Sequence, residues 1–223
     1  MDRIAAAREA RHQVKLGQQR LPRIRQSMST LYTSRLGQNE LKQLLQYLPD
    51  QFAQNGLARQ AQVALAAYKA GVCVSANLST GGFDTHGNHD AQHIPALENI
   101  WEGVDQSMTF ADTLGVTDNV YVVIGSDFGR TPGYNEGNGK DHWNITSMMM
   151  MGPGITGNRV IGTTTERHSA VSVDPATLQP SDAGVRITPG HVHKALRKLA
   201  GVDQSEAAGA FPLSEPEDLP LFA

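Results

Sequence analysis

The chain has 223 residues, enough for one domain or one domain with a helical extension, and its 39% hydrophobic content is modest but sufficient for a core. A net charge of -3 and a sequence pI near 6.2 give no electrostatic footprint for nucleic acid. No apolar run reaches the ~18 residues needed to span a bilayer, and Cys73, the single cysteine, excludes an intrachain disulfide.

Residues 1–70 read as a helical, structural segment. Arg3, Arg8, Arg11, Arg20, Arg23, Arg25 and Arg35 make its start locally basic, which is the pattern of a solvated helix face. Met1-Asp2-Arg3 leads into polar sequence with no hydrophobic signal region, so no export signal is read here. Pro22 and Gly37 punctuate the region, Asn39 suits the cap of a helix through Leu48, and Pro49 stops it. A second helix is expected from Leu57 to Ala70, ended by Gly71.

Residues 71–202 change character. Val72 to Leu78 reads as a buried strand holding Cys73 as a structural thiol, and the Gly81-Gly82 loop follows. Ile94 to Leu114 has helical periodicity, and Asn119 to Gly125 is the clearest strand. After a Gly-rich loop over 129–140, Ser147 to Met151 reads as a third strand whose methionines fill a core rather than bind metal. Arg159 to Gly162 is strand-like, 163–185 irregular, and 189–200 a helix capped by Thr188 and Pro189. His191 and His193 are expected at surface or helix-end positions of that helix. Residues 203–223 form a tail whose end, from Phe211, reads as an extended docking segment or a frayed end. Strand, helix, strand over 72–125 makes a βαβ unit, which argues for an α/β fold with a parallel sheet. Ligands of such sheets gather beyond the carboxyl ends of the strands, which places Asp84 and Asp127 on one rim.

Three polar stretches carry the chemistry: Asp84-Thr85-His86, Ser126-Asp127-Phe128-Gly129-Arg130-Thr131 and Asp141-His142-Trp143. Residues two apart in an extended loop project to the same side, so Asp84 and His86 can grip one cation. Asn88, His89, Asp90 and His93 lie close by. Asn88 and His89 stand as alternate donors. Asp127 follows an apolar strand directly, which suits a ligand position or a cap of the Gly129 loop. Arg130 can neutralise that carboxylate or clamp an anionic substrate. His142 reads as a metal ligand, with Asp141 as its outer partner or as a turn former. Ser126 has no Gly-x-Ser-x-Gly elbow and reads as a structural hydroxyl. Carboxylate and imidazole donors suit zinc or manganese best, and magnesium or calcium fits a carboxylate-rich version.

Gly81-Gly82-Phe83-Asp84-Thr85-His86, the Ser126 stretch and Asp141-His142, with Gly152 to Asn158 and Val160-Ile161-Gly162 after them, resemble domain-of-unknown-function family 1501 over residues 40–202. That bacterial family is similar to the alkaline phosphatase and sulfatase superfamily. The resemblance implies a doubly wound, mostly parallel sheet, incomplete here at its N-terminal side, with a helical segment before it. It implies a metal-dependent hydrolase of phosphate or sulfate esters, with Asp84, His86 and His142 at one metal and Asp127 directed at a second. Arg130 or Lys140 would hold the small anionic ester. Phe128 stands where the related phosphatases carry a histidine, and position 88 is Asn88 where their first site has its histidine. Members of the family are longer and begin with an export signal. The resemblance therefore implies a periplasmic or exported full-length protein, of which this chain is the C-terminal portion, inactive alone. The nucleophile would lie in an N-terminal portion. The alternative is an exported, non-catalytic protein that uses the same rim for binding or assembly.

Overall fold

The computed structural model describes residues 2–222, with residues 2, 4, 5 and 33–40 described by backbone alone. Among the described residues six α-helices and four short strands follow in the order α1 (Asp2–Gln18), α2 (Pro22–Leu44), α3 (Gly56–Lys69), α4 (His89–Thr113), β1 (Val122–Ile124), β2 (Gly129–Arg130), β3 (His142–Trp143), β4 (Met149–Met151), α5 (Pro189–Leu199) and α6 (Glu206–Ala210), with a single 3-10 turn at Thr117–Asn119. The chain divides into two compact units. One runs to Gly81 and takes in Leu97–Thr117, and the other comprises Gly82–Ala96 and the chain from Asp118 onward. Among the described residues no helix is long and apolar enough to cross a membrane.

The first unit is helical. Pro22 sits at the start of α2, where a missing N–H costs nothing, and the helix then continues through Gly37 and Asn39. The cap expected at Asn39 therefore does not form, because the backbone ladder continues past it; the side chain of Asn39 lies outside the described residues. The helix ends at Leu44, before Pro49. Asn55 caps α3 through Oδ1, which accepts from Leu57 N at 2.9 Å and Ala58 N at 3.1 Å. At the far end Gly71, with φ +72°, lets Val72 N reach back to Ala67 O at 2.8 Å and closes the helix. Ala58, Ala61 and Ala66 are buried along α3. Residues 72–78 form no strand. Val74 is 93% exposed, and Cys73, half-buried, turns its Sγ to Ala64 O at 3.6 Å, so this apolar run has no ladder to join.

In the second unit the described strands pair antiparallel. Val122, Val123 and Ile124 lie opposite Met151, Met150 and Met149, and Gly129 and Arg130 lie opposite Trp143 and His142. The methionine strand is present, but Met148 and Met149 are exposed, and Met150 is the one packed against the core. That core gathers Val173, Leu178, Val192, Ala195, Leu219 and Leu221. Residues 159–162 carry no strand, and single bridges join Val173 to Pro180 and Val185. Thr188 caps α5 as expected, and His191 takes a helix-end position, buried rather than at the surface, where it completes the cap by receiving Thr188 N at Nδ1, 3.2 Å away.

Candidate metal centre

The centre lies in the second unit, where loop 83–88 is zipped to loop 131–141. Lys140 N donates to Thr85 O at 3.0 Å, Asn88 N to Gly137 O at 3.0 Å and His89 N to Asn138 O at 2.8 Å. Asn135 closes the second loop on itself, its Oδ1 accepting from Gly137 N at 3.0 Å and Gly139 N at 2.9 Å. A Cβ on Gly139 would overlap the carbonyl of His86, so only glycine lets the two backbones approach this closely. The β2–β3 register then sets Arg130 opposite His142.

Three donor atoms meet above this frame. His86 Nε2 lies 3.1 Å from Asp84 Oδ1 and 3.2 Å from His142 Nε2, and the Asp84–His142 separation is 3.9 Å. These three side chains form the one group among the described residues whose ligating atoms converge as a metal site requires, and all three are exposed. A tetrahedral ion with bonds near 2.0–2.1 Å spaces its ligand atoms about 3.3 Å apart, so two of the three edges already fit. His86 Nδ1 is 2.9 Å from Asp141 Oδ1. An ionised carboxylate can only accept, and Asp84 Oδ1 at Nε2 already accepts from Arg130, so with the proton on Nδ1 toward Asp141 the Nε2 lone pair is available to the cluster.

Arg130 borders the group. Its Nη2 donates to Asp84 Oδ1 and to Phe83 O, both at 2.8 Å, while Nη1 donates to Lys140 O at 3.1 Å and approaches His86 Nε2 at 3.3 Å. Only 12% of its side chain is exposed, so two backbone carbonyls pin it in place. The Arg130 hydrogen bond holds the Asp84 carboxyl below the usual carboxylate range, and the hydrogen bond to His86 does the same for Asp141. Phe128 lies against His142, ring centres 4.0 Å apart.

The other sequence candidates stand elsewhere. Asp127 is exposed and outside the converging group. Lys140 sends its amine to Pro132 O at 3.1 Å and over the Tyr134 ring at 4.8 Å. Asn88, at φ +48°, makes the turn into α4. His89 is buried, its Nδ1 2.6 Å from Thr85 Oγ1 and its ring stacked on His93 at 4.4 Å. Ser126 donates to Phe128 O at 2.8 Å, a loop-fixing bond.

Residues 4–205 match the family described as Protein of unknown function (DUF1501). The chain belongs to that family. No curated protein and no solved structure matches it. Thr85 and Asn135 are the two positions of this DUF1501 chain that residue chemistry alone did not single out. Thr85 is flanked by Asp84 and His86 and must point to the opposite side in an extended segment, which is the available signal for its burial. Asn135 has a local signal for its turn, with Gly137 and Gly139 just after it, but none for its bond to His86, 49 residues away.

Proposed function

We propose that Asp84, His86 and His142 bind a divalent metal ion, zinc or manganese, at the centre of a phosphate- or sulfate-ester hydrolase built on a doubly wound sheet of the alkaline phosphatase type. The observation that carries this reading is the convergence of one carboxylate oxygen and two imidazole nitrogens at metal-ligand spacing, with Asp141 beside His86 Nδ1 so that Nε2 is the ring nitrogen turned to the cluster. The charges agree with it: two carboxylates against one guanidinium leave the cluster negative when the imidazoles are neutral, which favours a cation. Such an ion, once bound, polarises an ester oxygen and lowers the pKa of bound water. Arg130, fixed at the edge of the cluster, offers a planar fork suited to the non-bridging oxygens of an anionic ester. Asp84 supplies negative charge on the metal side, and Phe128 limits the swing of the His142 ring.

A second reading, a non-catalytic protein that uses the rim for binding or assembly, is favoured by one observation. Arg130 already satisfies Asp84 Oδ1 and approaches His86 Nε2, so the cluster is internally paired. Metal titration separates the two. Isothermal titration with zinc and then manganese is expected to show binding that falls at least about 100-fold in His86→Ala and His142→Ala, in line with loss of a direct ligand. Aryl phosphate and aryl sulfate turnover, abolished by a chelator and restored by metal, identifies the hydrolase. Wild-type protein that takes up neither metal sinks the metal reading.

A further inference from the structure

We propose that Asp141, held in place by Asn135, is a positioning residue of this centre, fixing His86 in the tautomer and orientation that point its Nε2 lone pair at Asp84 and His142. The inference rests on the metal reading above and deepens it.

Two independent contacts define the tautomer. On one side of the ring, Nδ1 faces the acceptor-only carboxylate of Asp141 at 2.9 Å. On the other, Nε2 faces Asp84 Oδ1 at 3.1 Å, His142 Nε2 at 3.2 Å and Arg130 Nη1, a group that can only donate, at 3.3 Å, and that Asp84 oxygen already accepts from Arg130 Nη2 at 2.8 Å. A proton on Nε2 would put donor against donor at Arg130 and leave an unprotonated Nδ1 against the nearer carboxylate, Asp141, which carries no guanidinium, so the neutral ring is assigned Nδ1–H.

Asp141 is anchored. Its N–H donates to Thr131 Oγ1 at 3.0 Å and its carbonyl accepts from Thr131 N at 2.9 Å. Asn135 Nδ2 donates to Asp141 Oδ1 at 3.2 Å and to His86 O at 3.0 Å. One amide therefore touches both the backbone that carries the imidazole and the carboxylate that aims it. Its own Oδ1 is occupied by the N–H groups of Gly137 and Gly139, so the amide cannot flip without losing those bonds. Ligand orientation through the distal imidazole nitrogen is worth about 10–100-fold in metal affinity where it has been built into a site.

The test compares Asp141→Ala, Asp141→Asn and Asn135→Ala with the unmodified chain at mildly alkaline pH, where free imidazole is neutral. Long-range proton–nitrogen correlation spectra of the metal-free chain report the His86 tautomer, and zinc titration reports affinity. Nδ1–H is expected in the unmodified chain and in Asp141→Asn, which keeps an acceptor. A tautomer mixture is expected in Asp141→Ala, with zinc affinity lowered by about 10–100-fold, and a smaller loss in Asn135→Ala. Unchanged tautomer and unchanged affinity in Asp141→Ala overturn the inference. If the unmodified chain takes no zinc, the metal reading fails, and the tautomer of the metal-free Asp141→Ala chain still decides whether Asp141 positions His86.

Discussion

Thr85 lies between the two proposed ligands and is fully buried, so the side chain that faces away from the centre is the one that holds it. Its hydroxyl meets His89, and its carbonyl receives Lys140 N. This gives two imidazoles, His89 buried and His93 half-buried, a measurable role. Burial, with the Lys140 charge second, lowers the pKa of His89; burial, with the His89 charge second, lowers that of His93. A folded-state value below the unfolded one means that the unfolded chain binds protons first as pH falls. The stability contributed by the neutral pair is therefore complete above the unfolded imidazole value of about 6.5, and is lost as pH drops from there through the depressed folded values. Urea midpoints measured at about pH 7.5 and about pH 5.5 are expected to fall for the unmodified chain, and to fall less for His89→Gln. Equal drops would exclude His89 as the source. The residues with ligand chemistry were legible because Asp, His and Arg declare what they can bind. Asn135 was not, since its hydrogen bond to His86 O exists only once residues 49 apart in sequence are brought together, while its bonds to Gly137, Gly139 and Asp141 are those of a local turn.

At the level of elements, the C-terminal tail shows how much hangs on one side chain. Leu219 and Leu221 are buried in the core beside Val192 and Ala195 of α5. Lys194 Nζ, on that helix, donates to Glu215 O at 3.1 Å, Pro216 O at 2.9 Å and Glu217 O at 3.3 Å, and pairs with Asp218 at 3.1 Å. Lys198 meets Asp218 alone, at 2.7 Å, on a more exposed surface. Hydrogen bonds from a charged donor contribute more than exposed ion pairs, so Lys194→Met is expected to cost about 1.5–3 kcal/mol and Lys198→Met at most about 1 kcal/mol. Amide exchange at Leu221 is the direct readout, and comparable protection in both variants would refute the ranking. Docking of this tail was one of two outcomes its composition allowed, since prolines and acids suit a solvated end as well as a strap. Helix α3 was more legible, because Gly71 marks its end with local chemistry, and the structure adds the Asn55 cap at its start. The strands were less so. Asn119 to Gly125 reads as strand more clearly than Val72 to Leu78, yet composition names no partner for either, and only Val122–Ile124 finds one among the described residues.

For the whole molecule the exposed apolar surface sets the expectation. Val74 and Val160 are each 93% exposed, and Val123 and Met149 on the β1–β4 pair, with Tyr121 just before β1, are also exposed. Each strand of that pair is hydrogen-bonded to one neighbour among the described residues, which leaves its outer edge free. A two-stranded pair is marginal alone, and a β-branched edge with apolar neighbours is a template for another chain. The isolated chain is therefore expected to associate at rising concentration, with apparent mass increasing in light scattering. A lysine on such an edge introduces charge repulsion and a desolvation penalty into any strand docking there, so Val123→Lys should lower the association. Val74→Lys tests the other exposed run. Its side chain is almost fully solvated, so it should change folding stability by no more than about 0.5 kcal/mol while reducing apolar contact between chains. If Val74→Lys lowers association and Val123→Lys does not, the 72–78 run is the sticky element and the strand edge is closed by other means. If neither substitution alters the concentration dependence, exposed apolar surface in these two elements does not drive association.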